Sequence, residues 1–93
     1  MTLQQGEILG YDYNRMVVQF TMFDQSKVVQ CAVTTAALDD IERIATVKAD
    51  GRIDQFVRLR TLVQERANQK HADGFMESGG RLVLRSEDFN TKS

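Results

Sequence analysis

The longest continuous helical pattern runs from Ile53 to His71, uninterrupted by glycine or proline, and it limits what the rest of the chain can become. Ile53, Phe56, Val57, Leu59, Val63 and Ala67 recur at steps of three and four, so the spacing predicts a helix with those side chains along one side. Asp50 just upstream is a residue type that caps helix N-termini, and His71 near the far end suits the negative end of the helix dipole. An apolar stripe of that length needs a surface to cover. The alternating pattern between Met16 and Thr34 supplies one.

Val18, Phe20 and Met22 share one face of a first strand, and Val29, Cys31 and Val33 one face of a second. Joined through Asp24-Gln25-Ser26-Lys27, the two strands set Phe23 against Val28, Met22 against Val29, Phe20 against Cys31 and Val18 against Val33. A slip by one residue would turn one apolar face to water, so the pattern fixes the register. After the hairpin, Thr34 or Thr35 precedes Leu38, Ile41, Ile44 and Ala45 at helical spacing, with Asp39, Asp40 and Glu42 near the start. A first helix over about 35–48 and the long one over about 51–71 follow. Ser78-Gly79-Gly80 ends a loop holding Phe75 and Met76, and Arg81 to Arg85 alternates as a third strand. Ser86 to Phe89 reads as a final turn, residues 90–93 as a loose tail, and the polar residues 1–6 as loose too. Glu7 to Tyr13 read as an edge strand or irregular extended piece, with Asp12 to Arg15 as a turn. The expected architecture is α+β, a small antiparallel sheet with both helices on one face, in a single domain over residues 1–93.

These elements assemble into a recognisable order. Val18-x-Phe20, Cys31-x-Val33 leading into Leu38, Phe56-x-x-x-Arg60 followed by Ala67 and Lys70, and Leu82 to Phe89 resemble, in order and spacing, the small bacterial family catalogued as domain of unknown function 1488. The resemblance spans roughly Tyr11 to Phe89. It implies a compact bacterial α+β domain and brings no catalytic residue, cofactor or partner.

Composition narrows the function classes. Twelve basic and thirteen acidic residues give a net charge of −1, which supplies no electrostatic pull toward nucleic acid or an anionic membrane. The apolar runs are too short to span a bilayer, the N-terminus lacks signal-peptide character, and the lone cysteine cannot form an internal disulfide. The reading is therefore a cytoplasmic protein.

Few side chains offer chemistry. Cys31 sits on the inward face of a central strand, where a thiol is inert. His71 is the only histidine, and no second His or Cys exists to join it on a metal. Arg60 points into the apolar sector of the long helix, so it must reach an acceptor: a carboxylate or backbone carbonyl of the domain, or an anionic ligand. Asp54 and Arg58 form a favourable i,i+4 pair. Gly79-Gly80 precedes a strand rather than a helix and so makes no phosphate loop.

The sequence reading is thus a non-catalytic interaction or scaffolding protein, without metal or cofactor, whose partner is itself or another protein. The candidate surface is Tyr11, Tyr13, Val17, Phe23 and Val28. Two rivals stand beside it: a nucleic-acid-associated regulator using Arg15, Lys27 and the tyrosines, and an anion binder or enzyme built on Arg60, His71 and Cys31.

Overall fold

In the computed structural model the hairpin is the centre of the molecule. The structure describes residues 3–42, 49–74 and 80–89. Strands β2 (Val17–Asp24) and β3 (Lys27–Thr34) pair antiparallel in the register expected from their apolar faces, Phe20 on Cys31 and Phe23 on Val28. Asp24 pairs with Lys27, so the turn is closed by Gln25 and Ser26, with Gln25 at φ 59°. Strand β1 (Gln4–Asp12) lies antiparallel on the outer side of β2, and β4 (Leu82–Leu84) beside β3, giving the order β1-β2-β3-β4.

Two expectations about the sheet are corrected. Residues 3–6 are not loose: Leu3 is buried, its N–H donates to Asn68 Oδ1, and the strand begins at Gln4. Strand β4 is parallel to β3, so the sheet is mixed rather than wholly antiparallel. Helix α1 (Thr35–Glu42) opens on a Thr34 cap, whose Oγ1 accepts a hydrogen bond from Ala37 N–H. Helix α2 (Arg52–Ala72) has 21 residues and, at about 1.5 Å per residue, exceeds the length of the eight-residue β3. It therefore returns the chain to the end where β3 began, and the next strand must run alongside β3 in the same direction.

The helix itself departs from its sequence reading at the start. A 3-10 turn, Ala49–Gly51, leads into α2, the N-cap position is Gly51, and no side chain caps it, so Asp50 does not play that part. Val57 is exposed although its spacing groups it with the apolar side. At about 100° from Phe56 it lies just beyond the buried sector, which Phe56, Val63 and Ala67 define. The expected extension of α1 through Ile44 and Ala45, the loop with Phe75 and Met76, Gly79, and the tail 90–93 lie outside the described residues.

The core is built on one sheet face. Val18, Phe20, Met22, Val29, Cys31 and Val33 join Leu38 of α1, Phe56, Val63 and Ala67 of α2, and Leu82 and Leu84 of β4 in a single cluster. The rings of Phe20 and Phe56 lie 4.9 Å apart at 39° across the sheet–helix boundary. Phe89 of the closing turn α3 (Ser86–Phe89) packs against the same cluster.

Candidate interaction surface

The polar side chains under the helices are committed to holding them in place. On one flank of α2, Arg52 and Gln55 are buried and face Asp39 of α1. Arg52 Nη1 donates to Asp39 Oδ1 at 2.6 Å and Nη2 to Oδ2 at 3.3 Å, while Gln55 Nε2 donates to Asp39 Oδ1 at 3.1 Å and Gln55 Oε1 accepts from Arg52 at 2.8 Å. Burial pushes the Asp39 carboxyl up, but the hydrogen bonds from Arg52 and Gln55 and the Arg52 charge outweigh it and hold the group below its ordinary value. One turn on, Arg58 grips Glu42 of α1 with two hydrogen bonds of 2.9 and 3.0 Å, and the expected Asp54 adds its charge alongside. The hydrogen bond from Arg58 depresses the Glu42 carboxyl as well. Farther along, Lys70 Nζ donates to Val83 O at 2.7 Å and Asp88 Oδ2 at 3.0 Å, fixing β4 and α3 to the helix.

The other flank of α2 faces β1. Arg60, Gln64 and Asn68 follow at four-residue steps, which stacks them along one line of the helix. Arg60 Nη2 donates to Gly6 O at 3.0 Å and its guanidinium lies 5.9 Å from the Phe56 ring centre. Arg60 Nε and Gln64 Nε2 are buried without a hydrogen-bond partner. Glu7 N–H donates to Thr21 Oγ1, and Gly6 approaches Thr21 so closely that an added Cβ would come within 2.5 Å of its carbonyl oxygen. Only glycine fits there.

The three residues with the most chemistry stand apart. Cys31 is buried in the core, its thiol donates to Val29 O, and burial pushes its pKa up to about 12. His71 Nε2 lies 3.9 Å from Asp24 Oδ2 at the hairpin end. Asp24 pairs with Lys27, four residues and about 13 Å along β3 from Cys31. Arg60 lies eleven residues, roughly 16 Å, up the helix from His71. No group of His, Cys, Asp and Glu fit to hold a metal ion occurs among the described residues.

What remains is the face of the sheet away from the helices. Side chains paired across a ladder point to the same side, so Val17, Gln19, Thr21 and Phe23 of β2 share this face with Thr34, Ala32, Gln30 and Val28 of β3. Val83 joins it through Ala32, and Gln4, Gly10 and Asp12 through their β2 partners. None of the eight residues of the central hairpin on this face is charged. With 27% of the chain charged, a random set of eight would hold about two, and a solvent-facing set more. Phe23 and Val28 form an apolar pair at one end, Val28 being 55% exposed.

Two of the sequence-derived surface residues do not belong to an exposed patch. Val17 is 7% exposed, and Tyr11 pairs with Val18 and packs against the core. Tyr13 is 71% exposed in the β1–β2 turn, where Asp12 Oδ1 accepts from the N–H groups of Asn14 and Arg15. The tyrosines, Arg15 and Lys27 therefore do not share a face: Lys27 pairs with Asp24 on the helix side, and Arg15 lies 4.0 Å from Asp12. The absence of charge on the outer face was open to reading from the sequence, because Val17–Phe23 and Val28–Thr34 contain no Asp, Glu, Lys or Arg at all. It needed the strands placed first.

The architecture is that of a small α+β domain, a mixed four-stranded sheet with its helices gathered on one side. The family described as "Protein of unknown function (DUF1488)" matches residues 6–84, and the chain belongs to it. The fold is also that of a DUF1488-family protein of unknown function from Shewanella loihica PV-4, known from a crystal structure at 1.60 Å. The TM-score is 0.80 at 17% identity over 89% of this chain and 91% of that one. No curated protein matches. No described helix is long and apolar enough to cross a membrane.

Proposed function

We propose that this chain is a non-catalytic, cytoplasmic interaction module that engages protein through the outer face of its sheet. The observation that carries the reading is the missing charge on that face. Loss of charged residues marks the centre of protein–protein contacts, whereas a sheet face kept in water normally carries Lys, Glu or Asp against unwanted association. The remaining chemistry supports it. Cys31 is buried with its proton held, and Arg60 is turned to the carbonyl of Gly6, where it ties the helix to β1 instead of facing a ligand. Nucleic-acid binding asks for basic residues interleaved with aromatics on the sheet face, and the outer face carries no Lys or Arg on its central strands.

A photo-crosslinking amino acid at position 30, in the middle of the face, tests the reading against one at position 65 on the solvent side of α2. Expressed in a bacterial host, the chain is expected to form covalent protein adducts several-fold more strongly from position 30. Equal yields from the two positions, or none from position 30, would refute it.

A further inference from the structure

Building on that reading, we infer that the occupant of the outer face is a second copy of the chain, packed sheet against sheet about a two-fold axis. A two-fold contact sets each residue of one protomer against its symmetry counterpart, so the surface must be complementary to itself. A charged face fails this, because like charges meet across the axis. The central hairpin of the outer face passes it, Asp12 lying at the β1 edge. Gln19 and Gln30 near its middle both donate and accept hydrogen bonds, and such groups can satisfy one another across a two-fold.

Relief points the same way. Thr21 and Ala32 are buried at the bottom of the face, while Gln30 and Val28 stand exposed beside them. Such alternation of low and high positions is what two sheets need to interdigitate at about 10 Å separation. The size is sufficient for a reversible dimer. With β4 only three residues long, the strands at about 4.8 Å spacing and about 3.3 Å per residue give roughly 450 Å² in projection per protomer, and two such faces bury about 900 Å². That is the lower end of specific interfaces, so the dimer forms in the micromolar range and persists in high salt, there being no ion pairs at its centre.

Light scattering from low to several hundred micromolar chain, at low and high salt, tests this. The mass is expected to rise toward twice the chain mass of 10.6 kDa, equally in both salts. Gln30→Lys puts two like charges near the axis and should weaken the dimer at least tenfold, while Leu62→Lys on the exposed side of α2 should leave it intact. A thermal unfolding curve for Gln30→Lys, taken where only single chains are present, separates lost pairing from lost folding. A strict monomer at the highest concentration, or a dimer broken by Leu62→Lys and indifferent to Gln30→Lys, would overturn the inference. A monomer that still crosslinks from position 30 to a different protein would overturn self-pairing and leave the interaction module standing. A monomer without such adducts would remove both.

Discussion

The two faces of one sheet obey different rules in this protein. The inner face alternates Val18, Phe20 and Met22 with Val29, Cys31 and Val33, large side chains sealed beneath two helices. The outer face, built from the residues between them, is uncharged on its central hairpin and partly open. Hydrophobic burial accounts for the first. It does not account for the second, where Lys or Glu would serve solubility better than Gln30 or Val28. The proposed contact with another chain would account for a composition that folding alone does not require. The contrast can be broken experimentally from either side.

The largest effect is expected from the inner face. Phe20 is fully buried and its ring meets Phe56 at 4.9 Å. Phe20→Ala should cost about 3–5 kcal/mol, most of what a domain this small possesses. Urea denaturation should find the variant largely unfolded at room temperature. A loss below about 1 kcal/mol would mean that the helices do not seal this face.

The hairpin that divides the faces was legible from sequence down to its register, because only one pairing brings both apolar sets together. Strand β1 was not. Gln4, Gln5 and Gly6 have poor strand propensity, and what holds them is the ladder to β2 together with Asn68 and Arg60, sixty-five and fifty-four residues away. The direction of β4 was hidden for a related reason: it follows from α2 alone spanning the sheet, a matter of relative lengths rather than of local pattern. The cluster of Asp39, Arg52 and Gln55 left no periodic signal either. Asp39 near the start of a helix has a sufficient local explanation in the dipole, and nothing nearby in sequence announces a partner thirteen residues on.

That cluster gives the intermediate prediction, since it fixes the lid over the inner face. Removing the guanidinium in Arg52→Met takes the ion pair and two hydrogen bonds from the partly exposed Asp39 carboxylate and should cost about 1–2 kcal/mol at neutral pH. The pH dependence follows from the direction of the shifts. Asp39 and Glu42 are both held below their ordinary values in the folded chain, so the stability they contribute is present above their unfolded pKa, about 4. It is lost as the pH falls through the depressed folded values. Denaturant midpoints of the native chain should therefore drop below about pH 4. In Arg52→Met the drop should be smaller, because the larger of the two influences that depress Asp39 is gone and only the Gln55 hydrogen bond remains. An unchanged acid profile in the variant would show that Asp39 does not depend on Arg52.

The smallest effect is expected on the outer face and sharpens the comparison most. Val28 is 55% exposed and pairs with Phe23 across the ladder, a contact worth about 0.2–1 kcal/mol. Val28→Lys keeps the backbone pairing, lays its methylenes on Phe23 and carries its charge into water. In single chains it should change the unfolding free energy by about 0.5 kcal/mol, roughly a tenth of the cost of Phe20→Ala. If the face served only to close the fold, nothing further would change. If it is a contact surface, the same substitution should abolish adducts formed from position 30 while the unfolding curve of the isolated chain barely moves. Loss of association without loss of stability is the signature that separates a face built for a partner from one built for the core.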